Sequence, residues 1–322
     1  MRKIRVLDNV YDLITVNMED RFKDNVAFRF YDTANDAVTT ILYKDYVQDI
    51  RKAVNYFQST IPEIKGKKIC LLTKNSYEYA VNTFGVVAAG AVLVLLNQRK
   101  SWDELSYELG LVEPDAILTD GDDYGFNDQL KAAYGEILRP MDGFRSYEPA
   151  QLTRCIDHEA LMVLMFTSGT TGRSKGVMLS EKNYFTACQM YIDGLKSVLD
   201  HEERLVPQYL DQTFSHFTLV PMFHLAGFIC YFVYGVQGWT LNLCCDARDL
   251  RRDMSLMHSD AMSTPPVLVE MICNEVKRGH VDRLNGLLNL SCSSAILDPA
   301  ILSDLVKNGF YLNPCFSLTG LA

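Results

Sequence analysis

Short apolar segments alternate with amphipathic segments along this chain, and the alternation restricts the folds that it can adopt. Four of these segments are four to six residues long and almost entirely apolar: Lys68–Thr73, Ala91–Leu96, Ala116–Thr119 and Leu161–Phe166. Apolar runs this short, bounded by turn-forming residues, predict strands. Strands with apolar residues on both faces are typical of parallel sheets covered by helices. We therefore predict an α/β fold of layered, mostly parallel sheets flanked by helices.

The segments between these strands carry helical patterns. Apolar residues recur at helical spacing within Tyr43–Ser59, and Ser101 with Glu104 forms a capping box that opens a helix ending near Gly110. An open sheet normally continues beyond the last strand found here, so we expect the 322-residue chain to be incomplete at its C-terminal end. The other predicted elements are helices at Tyr77–Ala89, Glu181–Val198, Ala247–His258, from Pro265–Pro266 to about Lys277, and at Pro299–Asn308, and strands at Val177–Leu179, Leu287–Leu290 and Tyr311–Asn313.

One long uncharged stretch requires a choice between a membrane span and a buried core. No Asp, Glu, Lys or Arg occurs between Gln212 and Cys245, but prolines, histidines and glycines interrupt the stretch. A spanning helix needs about 20 consecutive, mostly apolar residues. We therefore predict a buried strand at Phe217–Val220, a buried helix at Leu225–Val236 and a strand at Trp239–Leu243, with no membrane span.

The charge balance excludes one class of partner. The chain carries 31 Lys and Arg against 40 Asp and Glu, a net charge of −9. Sequence-independent nucleic-acid binding depends on a basic surface, so no nucleic-acid partner is expected. A site for an anionic ligand must be built from backbone N–H groups and a few placed cations.

The cysteines indicate a reducing compartment. Nine are present, an odd number, with no C-x-x-C and no metal-ligand spacing among Cys and His. Acidic residues follow the basic first residues, where a signal peptide would have an apolar core. We predict a cytoplasmic protein with reduced thiols and no Cys or His metal site.

A polar loop between two predicted strands is the strongest candidate for a binding site. The ten residues from Thr167 to Gly176 include three glycines, two serines, three threonines, Arg173 and Lys175. Glycines allow close backbone approach, successive N–H groups form an anion-binding nest, and hydroxyls and a lysine add donors. The pattern is neither a Walker A loop nor G-x-G-x-x-G. It predicts a polyphosphate site, although a surface turn has a similar composition.

This loop resembles the phosphate loop of the adenylate-forming enzymes, a family that includes acyl-CoA synthetases, luciferases and peptide-synthetase adenylation domains. The family pattern is S/T-S/T-G-T-T-G-x-P-K-G, and only Ser174 differs, standing in place of Pro. Similar motifs follow in the family's order, and the resemblance extends from about Phe22 to Thr319. They are Leu219–Gly227 (P-x-F-H-x-x-G), Thr264–Pro266 (the P-P helix start), Ser293–Leu297 (G-G-A-P-L) and Phe316–Gly320 (Y-G-x-T-E), preceded by Val86–Asn97 and Tyr43–Phe57.

The resemblance implies roles for individual residues. Lys175, Thr319 and His224 would serve catalysis, with Thr319 bonding the α-phosphate and His224 at the mouth of the acyl pocket. A buried structural histidine is the alternative for His224. The implied nucleotide-binding residues are Thr167, Ser168, Gly169, Thr170, Thr171, Gly172 and Lys175 around the outer phosphates, Ser293, Ser294 and Ala295 along the adenine, and Phe316 and Thr319.

Two departures from the family pattern affect cofactors and domains. Gly320 stands where the family has a Glu that helps to hold Mg²⁺, and the chain lacks the family's later ribose-binding Asp and its lid domain with a catalytic Lys. We therefore expect residues 1–322 to form part of the family's N-terminal domain, with subdomains of roughly 1–155 and 156–322.

The implied function is ATP-dependent activation of a carboxylic acid to an acyl-adenylate, followed by transfer to a thiol. That thiol would be CoA or the phosphopantetheine of a carrier protein. His224 stands beside Phe223, where amino-acid-activating relatives carry an Asp, and Phe228–Tyr234 is apolar. These residues favour a fatty or aryl acid.

The isolated chain is expected to be inactive. The alternatives are a catalytically impaired nucleotide-binding relative, an adenylation domain that loads a carrier protein, and a P-loop kinase or ATPase, which the absent Walker A pattern disfavours.

Overall fold

Two sheets form the framework of the molecule. The structure, a computed structural model, describes residues 8–154, 157–167, 173–201, 213–293 and 298–315. Thirteen strands lie in the described ranges: β1 Val26–Asp32, β2 Ala37–Leu42, β3 Lys68–Leu71, β4 Val92–Leu95, β5 Ala116–Thr119, β6 Leu138–Pro140, β7 Leu161–Thr167, β8 Lys175–Ser180, β9 Ser215–Thr218, β10 Thr240–Leu243, β11 Ala261–Thr264, β12 Asn289–Ser293 and β13 Tyr311–Cys315.

Each sheet is parallel except for one pair of strands at an edge. The first sheet has the order β6-β5-β3-β4-β7-β8, and only β7 and β8 pair antiparallel. The second has the order β13-β12-β11-β9-β10-β1-β2, and only β1 and β2 pair antiparallel. The predicted fold class, layered and mostly parallel sheets flanked by helices, is confirmed.

The helices cover both sheets. The one that follows β9 is apolar around its whole circumference, as expected for a helix buried in the interior. Their bounds are α1 Val10–Asp12, continued by a π-helical stretch at Leu13–Arg21, then α2 Tyr43–Thr60, α3 Tyr77–Ala88, α4 Trp102–Val112, α5 Asn127–Tyr134, α6 Glu181–His201, α7 Leu225–Gln237, α8 Leu250–Leu256, α9 Pro266–Lys277 and α10 Pro299–Lys307.

An apolar cluster joins the two sheets. One cluster of buried side chains includes Leu93 of β4 and Leu241 of β10, which belong to different sheets. Aromatic rings fill the space between the helices, and the rings of Phe84 in α3 and Phe232 in α7 have centroids 4.9 Å apart. The packing of these rings removes large apolar surfaces from water, so the two sheets support each other.

Both sheets take strands from either side of residue 155, and the predicted subdomain division there stays a prediction. Strands β1 and β2 come from the N-terminal part yet pair with β10, whereas β7 and β8 come from the second half yet pair with β4. Strands join whichever sheet buries their apolar faces, and their position along the chain does not decide this. The hairpin of β1 and β2 was also missed, because charged residues such as Arg29 and Asp32 interrupt its apolar pattern.

Most predicted elements lie within two or three residues of their observed bounds. The capping box of Ser101 and Glu104 is present, and α4 ends at Val112 with Glu113 in a left-handed conformation, two residues beyond the predicted end. The predicted helix Ala247–His258 was wrong in extent, because a 3₁₀ turn precedes the shorter α8. The uncharged stretch forms β9, α7 and β10 as predicted, and the described helices include none with the length and apolarity to cross a membrane.

A buried histidine in β9 should make the fold sensitive to acid. His216 is 2% exposed, and its Nε2 accepts a hydrogen bond from the backbone N–H of Ser263 at 3.1 Å. Burial lowers the pKa of His216 to about 3. In the unfolded chain the same group titrates near pH 6.5. The unfolded state therefore binds the proton first as the pH falls.

We predict that His216→Gln reduces the acid sensitivity of the free energy of unfolding. In the wild type, His216 contributes stability that is fully present above pH 6.5 and is lost as the pH falls toward about 3. Below about pH 6 the wild type should lose up to roughly 1.4 kcal/mol per pH unit more than the variant. Urea unfolding followed from pH 7.5 to pH 5 would measure this. Parallel pH profiles for the two proteins would contradict the prediction.

Candidate functional site

The β7–β8 hairpin presents the polar loop. Thr167 at the end of β7 pairs with Lys175 at the start of β8, so the two ends of the loop are held side by side. The side chain of Lys175 is exposed, and no described residue forms an ion pair with it. A lysine without a carboxylate partner at the end of a loop is available to an anionic ligand. The remaining predicted phosphate-binding residues, Ser168, Gly169, Thr170, Thr171 and Gly172, lie outside the described residues.

The returning arm of the loop rests on the segment around α4. Lys100, immediately before α4, donates a hydrogen bond to Ser174 Oγ at 2.9 Å and also contacts the carboxylate of Glu108. The guanidinium of Arg173 lies 4.9 Å from the centre of the Tyr107 ring, within range of a cation–π interaction. Arg173 is therefore an exposed residue with an aromatic partner.

His224 lies at the start of α7, and the interpretation of it as a buried structural histidine is wrong. Its backbone N–H donates to Pro221 O at 3.0 Å, and its own carbonyl accepts from Phe228 at the first turn of the helix. The side chain is partly exposed at the surface. Partial burial of the ring, followed by the charges of Arg99 and Lys100, lowers the pKa of His224. The ring is therefore neutral at pH 7, and it lies near the lysine that contacts Ser174.

Asn75 ties the His224 segment to the other sheet, a contact that sequence reasoning missed. It follows β3, is 9% exposed, donates to Val220 O at 3.0 Å and accepts from Met222 N at 2.9 Å. Both polar ends of one buried side chain are thus satisfied by the backbone of the loop before His224. An asparagine just past the carboxyl end of a buried strand was the available signal, since ligands of open α/β sheets bind at that edge.

Gly227 allows the His224 segment to fold tightly against the start of α7. A Cβ at this position would lie 2.4 Å from Pro221 O and 2.9 Å from Pro221 C. These are backbone atoms, which cannot move aside as the end of a flexible side chain can. Only glycine fits at this position of the P-x-F-H-x-x-G motif, because the turn at Pro221 occupies the space that any side chain would need.

The predicted adenine-binding segment begins at the carboxyl end of β12. Ser293 is the last residue of that strand and pairs with Cys315 of β13. Strands of a parallel sheet end at a common edge, so the carboxyl ends of β9 and β12 lie on the same side of their sheet. Ser294, Ala295, Phe316, Thr319 and Gly320 lie outside the described residues.

No cluster of His, Cys, Asp and Glu in the described ranges could hold a metal ion. The neighbouring thiols Cys244 and Cys245 are also unsuited to nucleophilic chemistry. Burial, followed by the nearby charge of Asp253, raises the pKa of Cys244 and raises that of Cys245 to about 12. Both are therefore protonated at neutral pH, when a thiolate would be the reactive form.

Comparison with known proteins agrees with this arrangement. A family model described as AMP-binding enzyme matches residues 17–315. The protein 4-coumarate–CoA ligase-like 2 of Arabidopsis thaliana is 23% identical over 273 residues, which cover 76% of this chain and 45% of that protein. The chain covers less than half of the length of each of several curated relatives.

Two solved structures share the fold. The N-terminal domain of FACL13 from Mycobacterium tuberculosis has a TM-score of 0.79 at 16% identity, over 97% of this chain and 76% of that one. The o-succinylbenzoate CoA synthetase MenE from Bacillus subtilis, in complex with the acyl-adenylate OSB-AMP, has a TM-score of 0.76 at 18% identity, over 96% and 58%. At these identities the similarity concerns the fold.

We predict that Gly227→Ala destabilises the protein far more than Gly235→Ala in the same helix. The new Cβ at position 227 would meet the Pro221 carbonyl, whereas at position 235 it would meet the terminal methyl of Met18, which can rotate away. Overpacking against backbone costs roughly 1–3 kcal/mol. At position 235 the gain of about 0.5–1 kcal/mol from replacing a helical glycine offsets the rearrangement. Chemical unfolding would measure the free energy of unfolding of both variants. Equal losses of stability would contradict the steric role given to Gly227.

Proposed function

This chain belongs to the AMP-binding enzyme family, and on that basis we propose that its protein activates a carboxylic acid with ATP and transfers the acyl group to CoA. The observation that carries the proposal is the β7–β8 hairpin. It ends its polar loop on the exposed Lys175, which has no ion pair to a described residue. The carboxyl ends of strands in an open α/β sheet are the usual place for such a ligand.

The reaction would proceed in two steps. A carboxylate oxygen attacks the α-phosphorus of ATP, the bond from that phosphorus to the bridging oxygen breaks, and pyrophosphate leaves. The sulfur of the thiol then attacks the acyl carbon, and AMP leaves as the thiol loses its proton. Negative charge on phosphoryl oxygens is stabilised by fixed donors and cations, so placement of those groups matters most.

We assign the residues of this chain as follows. Thr167 and Lys175, with Ser168–Gly172 between them, would hold the outer phosphates. Ser293–Ala295 and Phe316 would line the adenine, and Thr319 would bond the α-phosphate. The metal, when bound, would neutralise phosphate charge, and Gly320 stands where the family has a carboxylate. Mg²⁺ commonly keeps several water ligands, so phosphate oxygens and water would complete its coordination.

The residues near His224 support a fatty or aryl acid as the substrate. His224 is neutral at pH 7, as its lowered pKa requires. The helix that it opens contains Phe228, Tyr231 and Phe232, all buried. A neutral imidazole followed by an apolar helix provides no charge to clasp a substrate amine. The names of two relatives, a coumarate ligase-like protein and a succinylbenzoate synthetase, refer to aryl acids.

Two alternatives share this site. A carrier protein presents the same kind of thiol as CoA, on phosphopantetheine, so an adenylation domain that loads a carrier protein would use the same first step. Gly320 favours a second alternative, a nucleotide-binding relative with impaired catalysis, because it supplies no oxygen ligand from a side chain. The cytoplasmic location inferred from the thiols also stays a prediction.

Acid-dependent exchange of labelled pyrophosphate into ATP would test the proposed function. The panel should contain aryl acids, medium- and long-chain fatty acids and amino acids, assayed with Mg²⁺ and with and without CoA. Exchange that requires an aryl or fatty acid would support the proposal. Release of phosphate instead of pyrophosphate would contradict the proposal, and ATP binding without exchange would favour the impaired relative.

We expect the 322-residue chain by itself not to complete thioester formation. Robust acyl-CoA production by this chain would contradict that expectation.

We predict that Lys175→Ala weakens binding of ATP about ten- to a hundredfold and that of AMP far less. The reason is that a charge-assisted hydrogen bond contributes roughly 1.5–3 kcal/mol and that Lys175 is assigned to the outer phosphates. Titration calorimetry with both nucleotides would measure the two affinities. The matched control is Lys182→Ala, which removes an exposed lysine paired with Glu159 at 2.8 Å. Equal losses for ATP and AMP would show that the assignment of Lys175 is wrong.

A further inference from the structure

A buried ion pair lies directly beneath the returning arm of the polar loop. Lys100 Nζ contacts a carboxylate oxygen of Glu108, and the two side chains are 15% and 0% exposed. The same ammonium group donates to Ser174 Oγ at 2.9 Å. One cation thus joins the start of α4, a buried residue of α4 and the polar loop.

Glu108 keeps Lys100 in this position. Its neighbours along the helix, Leu105 and Leu109, are fully buried, and its second carboxylate oxygen has no hydrogen-bond partner among the described residues. An ionised carboxylate in apolar surroundings requires a paired cation, because removing one partner of a buried pair is strongly destabilising. Lys100 is therefore held in place by the interior of the protein and cannot follow the loop if the loop moves.

The other contact of Lys100 lies next to the cation assigned to the phosphates. Ser174 immediately precedes Lys175, and Arg173 on its other side stacks on Tyr107 of α4. Two consecutive residues of the returning arm thus contact α4 or the segment just before it. Because Glu108 neutralises the charge of Lys100, attraction of an anion over a distance is not the main effect of this lysine. Its geometric effect is to fix the backbone from which Lys175 projects.

We propose that Lys100 is a positioning residue for the phosphate loop. Lys100 fixes the loop through its hydrogen bond to Ser174, and the ion pair with Glu108 holds Lys100 in place. The proposal rests on the proposed function in one respect, that the loop binds the outer phosphates of ATP. Fixing the loop before the ligand arrives reduces the ordering that binding must impose. Loss of the anchor should therefore affect ATP more than AMP and should loosen the loop even without nucleotide.

Four proteins test this with a double-mutant cycle. They are the wild type, Ser174→Ala, the paired change Lys100→Met with Glu108→Leu, and the combination of all three substitutions. The paired change replaces both members of the ion pair, so that no charge is left buried alone. Thermal unfolding confirms that each protein is folded. Ser174→Thr retains a hydroxyl and serves as the rescue variant. The matched control is Ser106→Ala, which removes an α4 hydroxyl that donates to Asp103 O at 3.2 Å.

Binding of ATP and AMP by calorimetry is the first measurement. Ser174→Ala should weaken ATP binding about fivefold, the value of one hydrogen bond of about 1 kcal/mol, and AMP binding less than twofold. The paired change should produce a similar loss, to which Ser174→Ala adds nothing further. Ser174→Thr and Ser106→Ala should bind as the wild type does. Additive losses, or equal losses for ATP and AMP, would overturn the proposal while leaving the proposed function intact.

Amide hydrogen exchange of residues 173–176 without nucleotide is the second measurement, and it does not depend on ATP binding. Ser174→Ala and the paired change should each speed exchange there, with no further increase when combined. Unchanged exchange in either would overturn the anchoring role. If the wild type binds no ATP but amide hydrogen exchange in the variants increases as expected, the proposed function fails and the anchoring by Lys100 stands.

Discussion

Apolar packing between the two sheets is the interaction on which the rest of this molecule depends. Helices α3 and α7 meet through Phe84 and Phe232, and α6 joins them as the ring of Tyr184 packs edge-on against Phe228 at 4.6 Å. No strand of one sheet pairs with a strand of the other in the described part of the chain. Burial of these rings therefore sets how the strands of one sheet lie relative to the strands of the other.

The candidate site depends on that packing because its residues come from both sheets. The polar loop belongs to the first sheet, through β7 and β8, whereas His224 follows β9 of the second. Asn75, which follows β3 of the first sheet, makes two hydrogen bonds to the segment before His224, which lies 145–147 residues away along the chain. A chemical site built from separate sheets can be no more fixed than the interface between those sheets.

The residues proposed to contact a ligand are easier to recognise in the sequence than those proposed to position them. Thr167, Lys175 and His224 lie in continuous motifs whose composition indicates their chemistry. Lys100 and Ser174 are 74 residues apart, and nothing in either segment indicates that they meet. Glu108 lies on a helix whose other charged residues are solvated, and only the structure places it in the interior. A motif records local backbone geometry, whereas a supporting contact depends on the global fold.

The sequence by itself determined most of the elements and the composition of their loops. Apolar runs specified the parallel strands, the capping box specified the start of α4, and the spacing of glycines, hydroxyls and Lys175 predicted a loop suited to phosphate. The order of the strands was decided only by the tertiary structure, which placed β1 and β2 in one sheet and β7 and β8 in the other. The physical reason is that local propensity acts within a few residues, whereas strand pairing is chosen by burial of apolar surface over the whole molecule.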